Sequence, residues 1–377
     1  MNPPNYSVDK LYYDITFTNL AQDQTVSPVV NFTETRNTPF ILDPEQYYLS
    51  IIRFSLDCNS LPMFIPSIQP DQPNINLTTY YISLSYKPPV IGSFEVFVSK
   101  PIIFEPQNLI ASLPAPPSST FDKLQDNSSG YYYIYTYQFW IYLINKTFKE
   151  CYDELVALTF PNSPASHAPV MEFDTSGKIG VINADVAFYE SALPNPITIY
   201  FNNNLGQLFS SFPFYINSAS GFLNYKLAVS VFGGSTLIKY PTTNPTYTAI
   251  QCWQEYSTAS DWSPVQSIVF TSTLLPVVSN QLSNPIILYN GGAITSNGNN
   301  NNFAQIITDM IADNNDYKPF VLYNPQAEYR LVELIGNTPL YSVDIQIYWK
   351  NRFGQLIPFR LTPQGSANIK IMFTKKK

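Results

Sequence analysis

The only histidine of the chain, His167, lies in the stretch NSPASHAP, which is rich in proline and serine. A Ser-His-Asp or Cys-His catalytic site would have to use this residue as its base. No G-x-S-x-G elbow and no cysteine motif accompanies it, so the sequence indicates no nucleophile. We therefore predict an exposed loop histidine and no catalytic residue.

Metal ligands are equally sparse. The three cysteines, Cys58, Cys151 and Cys252, lie far apart and form no C-x-x-C pair, whereas a zinc site needs three or four nitrogen or sulfur ligands. An odd number of scattered cysteines also argues against a disulfide framework and favours synthesis in a reducing compartment. We therefore predict no metal site.

The stretch TDMIADNNDY places Asp309, Asp313 and Asp316 at short intervals, as in a cation-binding loop. The EF-hand order requires glycine at its sixth position and glutamate at its twelfth, and both are missing. This stretch is therefore interpreted as a solvated turn. The phosphate-binding patterns GxxxxGK[ST] and GxGxxG after a strand do not occur either, so no cofactor is predicted.

Two activities stay open because they need no local motif. The two carboxylates of a glycosidase can lie far apart in the sequence, and the chain has 27 acidic residues. Aromatic residues make up 15% of the chain, and aromatic side chains in loops can stack on sugars. A carbohydrate-binding attachment module therefore remains an alternative, and so does a β-rich glycosidase.

The chain contains unusually few charged residues. Charged residues are 12% of the 377, about half the usual ~25%. Since charges are depleted and aromatics enriched at the centres of protein interfaces, the composition fits either a polar, uncharged surface or extensive contact between subunits. The net charge of −7 argues against wrapping nucleic acid by general electrostatics. The only basic run, Lys375-Lys376-Lys377, is interpreted as a solubilising end, with a nearby polyanion left open.

Hydrophobic patterning predicts a mainly β protein with one clear helix. Alternation predicts strands at residues 10–20 and 46–57, and apolar spacing predicts a helix at residues 137–158. A hairpin is predicted around residues 175–177. In the second strand, Leu49 and Ile51 share the predicted outer face, and the predicted core face carries Tyr48, Ser50, Ile52, Phe54 and Leu56. The sequence has no secretory signal and no apolar run of 18 residues, so we expect no membrane span.

The stretch DIQIYWKNRFGQLIPFRL, residues 344–361, alternates on both sides of a polar segment that contains glycine. This pattern predicts a β-hairpin with its turn at residues 351–354. We place Ile345, Ile347 and Trp349 on the face that meets the core. Short strands at regular spacing through the last third of the chain suggest an antiparallel sandwich or barrel.

Several of these stretches resemble minor capsid, or penton, proteins of virophages and Polinton-like viruses. The resemblance is carried by EYRLVELIGNTPLYSVDIQIYWKNRFGQLIPFRLTPQGSANIKIMF (residues 328–373), EYSTASDWSPVQSIVFTSTLLPV (255–277), QIITDM (305–310) and PITIYFNNNLGQLF (196–209). It covers roughly residues 137–377, with a thinner match at residues 48–57.

The resemblance implies a single jelly-roll antiparallel sandwich with a large, mostly β insertion that includes one helix. The jelly roll would comprise residues 1–72 and 262–377, and the inserted upper domain residues 73–261. It also implies a virion protein without enzymatic activity, a homopentamer at the icosahedral vertex that contacts the major capsid protein. Lys375, Lys376 and Lys377 would then lie where they could meet packaged DNA. A different jelly-roll capsid component remains an alternative.

Overall fold

The computed structural model describes residues 9–20, 29–70, 72–107, 116, 125, 130–217, 224–231, 236–240, 247–278, 287–290, 293–296, 305–311, 318–323 and 330–377. These residues form two compact units. The first unit lies within residues 1–61 and 264–377, and the second lies within residues 62–263. None of the helices in the described ranges has the length and apolar character needed to span a bilayer.

The described strands, in chain order, are β1 (Lys10–Thr18), β2 (Asn31–Thr35), β3 (Tyr47–Asp57), β4 (Leu77–Tyr86), β5 (Val96–Ile103), β6 (Val170–Asp174), β7 (Ile179–Asp185), β8 (Thr198–Asn202), β9 (Phe214–Asn217), β10 (Asn224–Leu227), β11 (Thr236–Tyr240), β12 (Tyr247–Trp253), β13 (Val265–Ser272), β14 (Ile287–Asn290), β15 (Ala293–Ser296), β16 (Gln305–Met310), β17 (Phe320–Tyr323), β18 (Val332–Glu333), β19 (Ser342–Asn351), β20 (Leu356–Pro358) and β21 (Ser366–Lys375). The α-helices are α1 (Tyr137–Thr159), α2 (Val186–Tyr189) and α3 (Asn203–Leu208), and 3-10 turns occur at Pro44–Gln46 and Ala259–Trp262. The predicted mainly β, antiparallel architecture with one long helix is confirmed.

The first unit is a sandwich of two sheets. One sheet has the order β1-β21-β3-β17, with β18 also paired to β3, and the other has the order β16-β13-β19-β2, with β20 also paired to β19. The rings of Phe54 on β3 and Phe270 on β13 are 4.9 Å apart. At the other end of the sheets, Tyr13 on β1 lies 6.4 Å from Phe32 on β2. The two sheets therefore face each other, and their buried side chains fill the space between them.

Strand β3 departs from the predicted alternation. Phe54 and Leu56 are buried as expected, but Leu49 and Ile51, assigned to the outer face, are buried as well. In the register with β21, Arg53 pairs with Lys370 and Ile51 pairs with Ile371, so Ile52 is left over. A bulge of one residue switches the inward face from odd to even positions. The assignment of Leu49 and Ile51 to the outer face was therefore wrong, whereas Ser50 is buried as predicted.

The predicted hairpin at residues 344–361 is confirmed. Ile345, Ile347 and Trp349 on β19 are buried, and β20 pairs with β19 after the turn. Asn351 fixes the turn because its Oδ1 accepts hydrogen bonds from the backbone N–H groups of Phe353 and Gln355, each at 2.9 Å. Gly354 takes the positive φ of 76° that this turn requires.

Asp344 joins the two central strands of the second sheet. Its buried carboxylate accepts hydrogen bonds from the backbone N–H groups of Thr273 (2.8 Å) and Leu274 (2.9 Å) and from the Thr273 hydroxyl (2.8 Å). The Ser272 hydroxyl donates to the same carboxylate. A buried charge is tolerated where several donors satisfy it, so the chain leaving β13 is fixed to β19.

The second unit has two antiparallel sheets, ordered β5-β4-β8-β10-β9 and β11-β12-β7-β6. Helix α1 contacts β4 and β5 of one sheet and β6 of the other. Trp140 and Phe148 on its inner side are fully buried, with Trp140 4.9 Å from the ring of Phe64. The predicted helix and the predicted hairpin, which is β6–β7, are both confirmed.

Replacing Trp349 with alanine tests the assignment of the core. Trp349 is 2% exposed, and removal of a buried tryptophan side chain typically costs ~3–5 kcal/mol of unfolding free energy. We expect a loss of this size for Trp349→Ala in denaturant titration. Tyr348→Ala, the next residue on the opposite face and only half-buried, serves as the control and should cost less. Equal losses for the two variants would contradict the assignment.

Candidate functional site

His167 belongs to a polar cluster in the second unit. Its ring stacks on Tyr247 with the ring centroids 4.5 Å apart, and its Nδ1 lies 3.9 Å from Oδ2 of Asp185. The Tyr189 hydroxyl donates to the His167 carbonyl oxygen at 2.8 Å. His167 lies in a loop, as predicted, but its side chain is 36% exposed and therefore half-buried, because Tyr247 covers one face of the ring.

The same cluster contains the residue types of a catalytic triad in an arrangement that does not serve catalysis. In a triad the serine hydroxyl bonds to the imidazole, whereas here the Ser166 hydroxyl donates to Asp185 Oδ2 at 2.9 Å. The other oxygen of Asp185 accepts from the backbone N–H of Ala187 at 3.0 Å and caps α2. The cluster therefore holds a loop against a short helix.

The three cysteines are buried, and their thiols are poorly reactive. Burial raises the pKa of the Cys58 thiol to about 12 and that of the Cys151 thiol to about 12, and Cys252 is buried too. Across the ranges that the structure describes, no three His, Cys, Asp or Glu side chains are grouped so as to hold a metal ion. Asp313 and Asp316 of the acidic stretch lie outside those ranges.

The three C-terminal lysines do not form a loose tail. Lys375 is the last residue of β21, and its N–H donates to the carbonyl oxygen of Asp9 at 2.8 Å. Lys376 binds Glu333, and its Nζ lies 5.2 Å above the ring of Tyr48. Of the three, only Lys377 is exposed.

Apolar side chains are exposed at one edge of the sandwich. We call this the β17 edge and define it by Ile311, directly after β16, and by Phe320 and Leu322 on β17. These side chains are 73%, 46% and 66% exposed. Because β17 is the last strand of its sheet among the described residues, its outer backbone groups can pair with another chain. Exposed apolar groups at such an edge are typical of a protein contact.

The opposite edge, formed by β1 and β2, is polar and charged. The Tyr13 hydroxyl donates to Glu34, and Arg36 Nε lies 3.3 Å from the same carboxylate. On the outer face, Asp14 on β1 lies 3.3 Å from Lys370 Nζ on β21. The two edges of the sandwich therefore differ in chemistry, which suits a contact between unlike surfaces.

The second unit exposes apolar side chains as well. At the tip of the β4–β5 hairpin, Ile91 is 103% and Phe94 is 88% exposed. The tip is fixed by a hydrogen bond from the Ser93 N–H to the Val90 carbonyl oxygen at 3.0 Å. Apolar exposure in both units agrees with the composition, in which few charged residues are available to cover the surface.

Comparison with known proteins identifies related chains. A family model described as Sputnik minor capsid protein V18/19 matches residues 11–375. The Sputnik virophage "Uncharacterized protein V18" is 32% identical over 159 residues, which cover 41% of this chain and 90% of that protein. The Sputnik virophage "Structural protein V19" is 31% identical over 216 residues, which cover 53% of this chain and 90% of that protein.

Two solved structures have a similar fold. A chain in the 3.5 Å cryo-EM structure of the Sputnik virophage matches with a TM-score of 0.78 and 26% identity, covering 98% of both chains. The crystal structure of the mavirus penton protein matches with a TM-score of 0.60 and 16% identity, covering 97% of this chain and 99% of that one. The likeness to the mavirus protein is a likeness of fold.

The buried thiols lead to a chemical prediction. Since the thiolate is the reactive form, we expect the three cysteines of the native protein to react negligibly with Ellman's reagent at pH 8. All three should react after unfolding in guanidinium. Ser176→Cys, in an exposed turn, is the control and should add one rapidly reacting thiol to the native protein. Rapid native reaction in the unsubstituted chain would contradict the structure.

Proposed function

The chain belongs to the Sputnik minor capsid protein V18/19 family, whose match spans residues 11–375, and from this membership we propose that five copies form a vertex of an icosahedral capsid. It is a structural component of the virion capsid and not an enzyme. The family match is the observation that carries the proposal. The fold is shared with a mavirus protein named as a penton, which agrees with a vertex role.

We interpret the sandwich of the first unit as a single jelly roll. Its eight principal strands, in chain order, are β1, β2, β3, β13, β16, β17, β19 and β21. One sheet contains the first, eighth, third and sixth of these, and the other contains the second, seventh, fourth and fifth. Such an arrangement is that of an eight-stranded jelly roll built from two Greek keys.

The second unit is then an insertion between the third and fourth strands of the jelly roll. The units in the structure support a jelly-roll domain ending at residue 61 and resuming at residue 264, where the sequence suggested 72 and 262. The first boundary moves because the chain after residue 61 bonds within the second unit. The Met63 N–H donates to the Ile134 carbonyl oxygen at 2.7 Å, and the Gln69 N–H donates to the Leu77 carbonyl oxygen at 2.8 Å.

The unlike edges of the sandwich favour a closed ring. A head-to-tail contact joins two different surfaces, and repeated rotation closes it into a ring. In the proposed pentamer, the apolar β17 edge of one copy meets the polar β1/β2 edge of the next. The backbone of β17 and the side chains of Phe320 and Leu322 would be covered there.

Other surfaces of the ring would contact the major capsid protein, as the vertex position requires. A contact between packaged DNA and Lys375, Lys376 and Lys377 has less support. Lys375 is part of β21 and Lys376 is bound to Glu333, so only Lys377 presents an exposed charge. One such charge adds little to nucleic-acid affinity, and we leave DNA out of the proposed contacts.

The vertex role predicts the mass of the assembly and the position of the chain in the capsid. Native mass spectrometry of the purified protein should give a pentamer, and cryo-EM of assembled particles should place the chain on fivefold axes. A strict monomer at high concentration would count against the proposal. Density for the chain only at pseudo-sixfold positions would instead favour another jelly-roll capsid component.

A substitution in the β17 edge tests the proposed ring contact. Leu322→Glu places a charge where we expect an apolar interface, so the pentamer should dissociate at concentrations at which the unsubstituted protein is intact. The side chain is 66% exposed, and the monomer should therefore stay folded by circular dichroism. Leu158→Glu, on α1 and 58% exposed, is the matched control and should leave the pentamer intact. A stable Leu322→Glu pentamer would exclude this edge as the contact.

A further inference from the structure

A cleft of about 540 Å³ opens in the second unit between helix α1 and the sheet β11-β12-β7-β6. Its lining combines exposed aromatic rings, side-chain amides and carboxylates. Tyr142, Trp253, Gln251 and Glu172 are among the residues that line it. This cleft is distinct from the sandwich edges proposed above for assembly.

The sheet provides one wall and the floor. Trp253 on β12 is directly opposite Val181 on β7, and Val181 is directly opposite Glu172 on β6. Residues paired in this way point to the same face of a sheet, so these three side chains form a row across it. Trp253 is 37% exposed, whereas Trp140, Trp262 and Trp349 are at most 2% exposed. Unlike the other three tryptophans, Trp253 is therefore not explained by packing in a core.

The helix provides the other wall. Asn145 binds the edge of β6 twice, with its Nδ2 donating to the Met171 carbonyl oxygen at 2.8 Å and its Oδ1 accepting from the Met171 N–H at 2.7 Å. Gln138 Nε2 donates to the Phe173 carbonyl oxygen at 3.4 Å. Tyr142 lies between these two residues on the same helix face. These bonds hold this part of α1 against β6, and Tyr142 is 51% exposed.

The row of Trp253, Val181 and Glu172 is wide enough for a sugar ring. Strands β12 and β6 flank β7, so at about 4.8 Å per strand the backbones at the two ends of the row lie about 10 Å apart. The C–H faces of a pyranose stack on aromatic rings such as those of Tyr142 and Trp253. Hydroxyl groups at the rim of the sugar need donors and acceptors. The Glu172 carboxylate and the amide of Gln251, whose Nε2 also donates to Asn183 Oδ1 at 3.0 Å, line the cleft and can supply them.

The charge of the lining selects among sugars. Glu172 is exposed and acidic, and hydrogen bonds from Ser176 hold the pKa of Asp174 below its usual range. The carboxylates of Asp174 and Glu172 at the cleft repel a carboxylate or sulfate on a ligand. We propose that the cleft binds neutral oligosaccharides, which makes the inserted unit a glycan-attachment surface.

The exposed tryptophan gives a direct measurement. We would titrate the intact protein with chitotriose, cellotriose and mannotriose, and on a glycan array with a wider neutral set, using 3′-sialyllactose as the acidic comparison. A bound neutral sugar should protect Trp253 from acrylamide quenching, since the other three tryptophans are already shielded. Trp253→Ala and Tyr142→Ala should each weaken binding at least tenfold by calorimetry. Tyr215→Ala, on β9 outside the cleft and 64% exposed, should leave binding unchanged.

A separate experiment tests the preference for neutral over acidic sugars. Glu172→Gln removes one carboxylate without changing the shape of the side chain, so binding of 3′-sialyllactose should strengthen relative to binding of the neutral sugar. A merely structural role of Glu172 would not change this ratio. Absence of binding across the neutral set, binding that survives Trp253→Ala, or preference of the unsubstituted protein for the sialylated sugar would overturn the proposal. The native mass of each variant is recorded as well, so loss of sugar binding is distinguished from loss of the proposed pentamer.

Discussion

The backbone pairing of β21 with both β1 and β3 holds the first unit together. In the other sheet, β19 pairs with β2 and β13 in the same way. The N-terminal strands β1 and β2 are therefore edge strands fixed by the last strands of the chain, and the sandwich cannot close until those strands are present. The cost of closing a loop rises only logarithmically with its length, so a long segment with its own core is accommodated between β3 and β13.

The sequence predicted those parts of the fold in which one local signal decides the structure. Alternation identified β1, β3 and β19, and Asn351 with Gly354 marked the turn after β19. The bulge at Ile52 left no such signal, because a bulge depends on the register with β21 and not on the residue itself. The role of Asp344 was equally hidden, since its partners Thr273 and Leu274 lie about seventy positions earlier. The bulge and the role of Asp344 both depend on pairing between residues far apart in the sequence, which no local sequence pattern reveals.

The functional surfaces were harder still to predict. No local motif indicated a catalytic site, and the half-buried position of His167 depends on Tyr247, which comes from β12. The sugar cleft combines Tyr142 from α1, Glu172 from β6 and Trp253 from β12, and the exposure of an aromatic side chain is known only after folding. The β17 edge depends on sheet order in the same way. The family resemblance supplied the capsid role that the residues alone left open.

The side-chain amide of Asn145 takes the place of a neighbouring strand at the edge of β6. By bonding to both the N–H and the carbonyl of Met171, it occupies the free edge of β6 with groups that cannot propagate a sheet. An uncovered edge is a template for uncontrolled aggregation. In the proposed pentamer, Asn145 would therefore keep β6 from pairing with other chains while β17 pairs across the ring contact.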